Sequence, residues 1–172
     1  MSGIQNVRFT GFAAYLLKFE STFAAQYQAI YEANRDRIYA LAFWMSDNEL
    51  VAEEMLEHVF VLAFSMTEAP SAEMLDGLLI LELRGSIAIG RLTLECGEVR
   101  EEHGIRHNAK RVHLERAIVA LPATERLIFC MHDGEGYSHG RIAKTLGISE
   151  RQSMVGLHQA RLRIRELVAR MN

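Results

Sequence analysis

The chain has 172 residues, of which 49% are apolar and 24% charged, with a net charge of −3. These values are ordinary for a globular protein, and no apolar run reaches membrane-spanning length, so we expect no membrane association. The first residues lack the charged-then-apolar pattern of a secretion signal, and the two isolated cysteines are typical of a reducing compartment. The composition therefore predicts a cytoplasmic protein.

Three amphipathic segments in the first half of the chain predict a helical bundle. From Phe23 to Met45 apolar residues recur every three or four positions, and 46–48 reads as a turn followed by a helix cap. A second helix runs over 49–66. A third, with Ser71 placed to cap it, runs from Ala72 to about Glu95 and is apolar on nearly all sides, so it should be the most buried of the three.

Residues 96–112 have no sustained apolar period and are interpreted as a linker. The predicted domains are therefore 1–95 and 113–172. The second domain should begin with two short helices, one from His113 and one entered through Pro122, and continue into a turn at 133–136.

The last third of the chain has the spacing of a helix-turn-helix. Ser138 is placed to cap a first helix that ends at Leu146, and Gly147 supplies a residue that tolerates a left-handed turn. Ser149 is placed to cap a second helix that runs to about Ala169. Leu157, Ala160, Ile164, Leu167, Val168 and Met171 form its predicted buried stripe.

The outward face of the second helix is the candidate DNA reader, because the N-terminal part of such a helix enters the major groove. Arg151 and Gln152 have the side chains that read guanine and adenine edges, and the neighbouring cations suit phosphates. Gly156 and Gln159 are also expected on this face. The predicted DNA-binding residues are Arg141, Lys144, Ser149, Arg151, Gln152, Val155, His158, Gln159 and Arg161.

Charge is distributed unevenly along the chain. Residues 1–80 hold four Lys or Arg and eleven Asp or Glu, whereas residues 140–172 hold seven and two. The basic end is suited to nucleic-acid phosphates, and the acidic end is suited to a basic protein surface. The alternative is that both are simply solvated faces.

No pattern in the sequence predicts catalysis or a cofactor. Cys96, His103, His107 and His113 lie close together in sequence, but they lack the closed four-ligand spacing of a structural zinc site, so no metal is predicted. Cys130 beside His132 is interpreted as a buried thiol next to a turn. Nucleotide-binding glycine loops and nucleophile elbows are absent from the sequence, so no enzymatic activity is expected.

Several short motifs of the C-terminal half resemble region four of bacterial RNA polymerase sigma factors of the extracytoplasmic-function (ECF) type. A looser resemblance links 31–64 to region two of the same family, with Ala52-Glu53-Glu54 and Val59-Phe60 at the positions of its polymerase-binding helix. The region-four motifs are Leu121-Pro122, Glu125-Arg126, Gly136-Tyr137-Ser138, Ile142-Ala143, Leu146-Gly147-Ile148-Ser149 and Ala160-Arg161.

The resemblance implies an all-α protein, with a region-two-like helical bundle linked to a region-four-like helix-turn-helix domain. It also implies a transcription initiation factor that binds core RNA polymerase and directs it to promoter DNA, with an anti-sigma factor as a possible further partner. The polymerase-binding residues that it implies are Ala52, Glu53, Glu54, Glu57 and Phe60.

Departures from the family keep a second interpretation open. Met154, Val155, Gly156 and Gln159 occupy part of the recognition helix where the family has more basic residues. The alternative is a degenerate sigma mimic that acts by binding an anti-sigma factor through protein contacts. A third interpretation, an ordinary helix-turn-helix repressor, would require a dimerisation surface that the sequence does not plainly show.

Overall fold

The computed structural model describes residues 21–94 and 110–171, which contain helices and no strand. The all-α prediction is therefore confirmed, with two helical domains. No helix within these ranges combines the length and the apolar character that a membrane crossing requires. The elements are α1 (Ser21–Ser46), α2 (Glu49–Met66), α3 (Ala72–Ser86), α4 (Arg111–Val119), α5 (Ala123–Phe129), a π-helical turn (Cys130–Gly134), α6 (His139–Leu146) and α7 (Glu150–Met171).

Side-chain caps define where the N-terminal helices begin. Asn48 Oδ1 accepts hydrogen bonds from the amides of Leu50 and Val51 at 2.9 and 3.2 Å, and Ser71 Oγ accepts one from Met74 at 3.2 Å. Each cap satisfies amides that have no partner inside the first helical turn. The caps predicted at the starts of α2 and α3 are therefore confirmed.

Aromatic side chains hold α1 against α2. Tyr27 meets Phe64 edge to face with ring centroids 4.4 Å apart, and Tyr31 meets Phe60 in the same manner at 4.9 Å. Edge-to-face geometry is favoured because the positive ring edge meets the negative face of its neighbour. These contacts fix the antiparallel pairing of the two helices, and α3 closes the bundle with its buried leucines.

The third helix ends earlier than predicted. It stops at Ser86, where Ile87 turns extended, and Gly90 has a φ of +123° that helical residues do not adopt. The apolar residues at Ile87, Ile89 and Leu92 continued the pattern read as helical, but they pack on the core from an irregular chain instead. Apolar spacing alone does not distinguish these two arrangements.

The segment after α3 is tied to the C-terminal domain by its backbone. The Thr93 and Leu94 amides donate to Glu125 Oε1 at 2.5 and 2.8 Å, and the Gly90 amide donates to Thr124 Oγ1 at 3.1 Å. Glu125 is fully buried, so its Oε1 exchanges hydration for these amide donors, while its Oε2 has no hydrogen-bond partner among the described residues. Residues 90–94 are therefore held by the second domain rather than the first.

The C-terminal domain wraps four helices and the π-helical turn around one apolar core. Its first helix begins at Arg111, two residues before the predicted start. Four residues of the predicted stripe on α7 are buried, and the other two are partly buried. The stripe prediction is confirmed. The buried members are Leu157, Ala160, Ile164 and Val168.

The two domains pack directly on each other. Helices α1 and α3 contact α5 and α6, respectively, and the buried residues of both domains form one continuous cluster. Two arginines cross the boundary: Arg126 donates to the Trp44 carbonyl at 3.3 Å, and Arg84 donates to the Leu146 carbonyl at 2.6 Å. The second contact places a cation at the C-terminus of α6, where the helix dipole favours it.

Candidate nucleic-acid and protein interfaces

The turn between α6 and α7 has the geometry of a helix-turn-helix. Ser138 Oγ accepts from the Arg141 amide at 3.3 Å and caps α6, as predicted. Gly147 adopts φ +69°, and the Ile148 amide returns to the Ala143 carbonyl at 3.1 Å. A glycine at this position ends α6 in the left-handed conformation without a Cβ penalty. The turn thereby directs α7 across α6.

A reciprocal capping box starts α7. Ser149 Oγ accepts from the Gln152 amide at 3.1 Å, while Gln152 Oε1 accepts from the Ser149 amide at 2.8 Å. This arrangement satisfies two amides that the first turn leaves unpaired. The sequence assigned Gln152 to base reading. The structure uses its carbonyl oxygen for the cap, leaving only its amide nitrogen as a donor toward a base.

The outer face of α7 mixes cationic, polar and apolar side chains. Met154 and Val155 are 57% and 36% exposed, which is high for apolar residues of a folded domain. Arg151 precedes them at the solvent-facing start of the helix. We define the outer face as the exposed residues Arg151, Gln152, Met154, Val155, His158 and Arg161.

Two residues expected on the outer face lie inside the domain, so their predicted placement is wrong. Gln159 is only 6% exposed, and its Oε1 has no hydrogen-bond partner among the described residues. A Cβ built on Gly156 would lie 2.7 Å from Ile128 Cδ1 and 2.8 Å from Leu92 Cδ2. The glycine lets a side chain of the interdomain segment reach the recognition helix. The 3.6-residue period turns both positions away from solvent.

Other predicted DNA contacts take part in ion pairs within the domain. Arg161 donates to both carboxylate oxygens of Asp133 at 2.9 and 2.6 Å. This hydrogen bonding lowers the pKa of Asp133, and the same pair raises the pKa of Arg161. Lys144 is exposed on α6. Of these cations, Lys144 and Arg151 are the ones most accessible to a phosphate.

The remaining cation of the predicted DNA set, Arg141, lies at the domain boundary. Its Nε and Nη2 donate to Asp76 Oδ2 at 3.2 and 2.7 Å, and its guanidinium stacks 3.9 Å from the centre of the Tyr137 ring. Tyr137 donates its hydroxyl to Asp76 Oδ1 at 2.8 Å, and Arg37 also bonds this oxygen. We call Arg37, Asp76, Tyr137 and Arg141 the closure cluster.

Sequence reasoning missed three of the four closure-cluster residues. A signal was present, because Asp76 interrupts a helix that is otherwise nearly all apolar, and a buried carboxylate requires charged partners. The sequence could not identify those partners, since they lie 39, 61 and 65 positions away.

The candidate polymerase surface divides into an exposed and a buried part. Glu53, Glu54 and Glu57 are exposed along α2, and we call them the acidic ridge. Ala52 and Phe60 are fully buried, so their predicted contact with a partner needs correction. They pack α2 into the bundle because the apolar and acidic positions of this helix lie on opposite sides. Their packing holds the acidic ridge in place on the surface of the bundle.

Among the described residues, the candidate thiol Cys130 is buried. Burial raises the pKa of Cys130 to about 12, which keeps the thiol protonated and unreactive at neutral pH. Within the described ranges no group of three or more metal-ligating side chains occurs. Cys96, His103 and His107 lie outside those ranges.

Comparisons with known proteins agree with this architecture. Residues 111–164 match the family model "Sigma-70, region 4". The chain is 25% identical over 150 residues to the ECF RNA polymerase sigma factor SigE of Mycolicibacterium smegmatis, covering 78% of this chain. The match spans 58% of that relative's length.

A solved structure has the same fold. The sigma factor RpoE of Bartonella quintana, crystallised with the anti-sigma factor NepR, superposes with a TM-score of 0.62 at 16% identity. The match covers 83% of this chain and 96% of the other. The two-domain helical fold is therefore shared with that sigma factor, and residues 111–164 of the C-terminal domain match sigma-70 region four. Together the comparisons support a sigma factor of the ECF type, as the sequence predicted.

Proposed function

We propose that the protein is a transcription initiation factor that binds core RNA polymerase in the cytoplasm and directs it to promoters. The observation that carries the proposal is the solvent-facing start of α7 within a region-four domain. Arg151 is presented there by a capping box and a left-handed glycine turn. A recognition helix of this kind enters the major groove with its N-terminal residues. The role is regulatory rather than catalytic.

The acidic ridge supports the polymerase half of the proposal. Three exposed carboxylates on one helix make a surface that complements a basic protein partner. The experiment is binding of the full chain to core polymerase, with Glu54→Lys and Glu57→Lys combined. The matched control carries Glu32→Lys and Asp36→Lys on α1, which changes the net charge equally. Loss of binding in both variants would show a general charge effect and contradict the assigned surface.

Promoter reading is tested separately at Arg151. Arg151→Ala should weaken sequence-specific binding by about 1–3 kcal/mol, the range for losing one base-reading arginine. Arg170→Ala is the control, because Arg170 is exposed near the far end of the same helix. Transcription by reconstituted polymerase then shows whether the weaker DNA binding lowers transcription from the promoter. Equal promoter selectivity in wild type and Arg151→Ala would contradict base reading by this residue.

A second candidate function has its own supporting observation. Exposed Met154 and Val155 make part of the outer face of α7 apolar where a DNA reader needs cations, and such residues favour a protein contact. The alternative is a degenerate sigma mimic that binds an anti-sigma factor through this face. Met154→Ser with Val155→Ser should then abolish capture of an anti-sigma protein encoded beside the gene. Retained capture together with lost transcription would favour the first function.

A further inference from the structure

A buried aspartate joins the two domains. Asp76 is 1% exposed on α3, and every partner in the closure cluster reaches it from another element. Arg37 belongs to the N-terminal domain, whereas Tyr137 and Arg141 belong to the C-terminal domain. A carboxylate buried in a helix is strongly destabilising without such partners, so the environment of Asp76 is complete only while the domains are in contact.

The C-terminal half of the cluster has the geometry of an anion site. Arg141 presents two nitrogens side by side to one carboxylate oxygen, and Tyr137 presents a hydroxyl to the other. Burial raises the pKa of Tyr137, which keeps the phenol in its donating form. The same fork of donors fits two oxygens of a phosphate as well as those of a carboxylate.

The charge and the exposure of this site allow another anion to replace Asp76. Two guanidiniums surround one carboxylate, and the Arg141 side chain remains 32% exposed while it holds Asp76. When the domains separate, Asp76 leaves with Arg37, and the Arg141–Tyr137 pair remains on the helix-turn-helix without an anion. The first helix of a helix-turn-helix crosses the DNA backbone, which places this pair among phosphates.

We propose that Arg141 and Tyr137 form an anion site that binds Asp76 in the closed protein and a backbone phosphate of duplex DNA in the open one. Asp76 is thus an intramolecular competitor of DNA, and the closure cluster couples domain separation to DNA binding. The inference rests on the DNA-binding role proposed above and adds the regulation of that role.

The main test is Asp76→Asn in the full chain, which removes the charge with little change of shape. Glu73→Gln is the matched control, since Glu73 is exposed one turn earlier on α3 and acts on Arg141 only through space. Small-angle scattering reports domain separation, circular dichroism reports folding, and affinity is measured for a 20-base-pair duplex of arbitrary sequence. An arbitrary duplex without polymerase keeps this test independent of promoter recognition and of polymerase binding.

Asp76→Asn should enlarge the radius of gyration and raise duplex affinity by about tenfold or more, because apparent affinity scales with the open fraction. Glu73→Gln should change the radius of gyration and the duplex affinity much less. In the Asp76→Asn background, adding Arg141→Gln should lower the slope of log affinity against log salt by about 0.9, the value for one lost phosphate contact. An opened chain without the gain in affinity, or an unchanged slope, would overturn the proposal.

Arg141→Gln alone is the second variant, used if Asp76→Asn does not fold. In this variant Asp76 keeps Arg37 and the Tyr137 hydroxyl as partners. It should loosen closure without raising duplex affinity. A gain in affinity would overturn the proposal, since Arg141 would then act only as a latch. Inorganic phosphate, compared with chloride at equal ionic strength, should not open the wild-type chain as duplex DNA does. Equal opening by both would overturn the assignment to a DNA phosphate.

Discussion

Whether alanine in place of Gly156 stabilises or destabilises the protein depends on packing between the domains. In an isolated helix, alanine in place of glycine stabilises by about 1 kcal/mol. Here the new Cβ would lie 2.7 Å from Ile128 Cδ1 and 2.8 Å from Leu92 Cδ2, distances that require both side chains to move. Overpacking of this kind costs about 1–3 kcal/mol. We therefore expect Gly156→Ala to destabilise the protein by about 1 kcal/mol, despite its better helix propensity.

The measurement is urea unfolding followed by circular dichroism. Gly77→Ala is the matched control, because Gly77 lies exposed inside α3 and a Cβ there meets nothing within 4 Å. It should stabilise by about 0.5–1 kcal/mol. Gly156→Ala should cost less free energy of unfolding in a Leu92→Ala background than in wild type, because one of the two close contacts is then absent. Equal stabilisation by the two glycine replacements would refute the packing of Leu92 against the recognition helix.

Three further predictions follow from single contacts. Ser149→Ala removes half of the capping box and should lower the free energy of unfolding by about 1 kcal/mol, measured by urea titration. Because Arg161 lowers the pKa of Asp133, this carboxylate stabilises the fold above about pH 4, and the stabilisation disappears as the pH falls through its native pKa. Asp133→Asn should therefore have a lower melting temperature than wild type at pH 7, and the two should converge in acid; a gap independent of pH would contradict the assignment. Cys130, with a pKa of about 12, should react with a thiol reagent at neutral pH only on unfolding, as peptide mass spectrometry would show.

Local rules predicted much of the fold. The caps at Asn48, Ser71 and Ser138 and the left-handed Gly147 depend on residues within a few positions, and the structure has all four as predicted. The same rules failed after Ser86, because the apolar residues beyond it are partly buried from an irregular chain, and Leu92 among them reaches Gly156 of the second domain. Helical periodicity reports that a residue is buried but not what buries it.

The candidate sites depend more on distant contacts, and they were predicted less completely. Arg151, Val155 and His158 are exposed on α7, as expected for its outer face. Gly156 and Gln159 turn inward instead. The closure cluster joins residues up to 104 positions apart in sequence, from Arg37 to Arg141. No local pattern encodes which arginine reaches Asp76, so only the packing of the two domains reveals it.

The hydrogen bonds of Glu125 to the chain after α3 limit the length of the hinge that the proposed opening would use. If residues 90–94 keep these hydrogen bonds when the domains separate as proposed, the chain between the two domains reduces to 87–89. Three extended residues span at most about 10 Å. The last residue of α3 and the first residue held by the C-terminal domain would therefore stay within a distance on the order of 10 Å of each other after opening. By holding residues 90–94, the buried Glu125 limits how far the two domains can move apart.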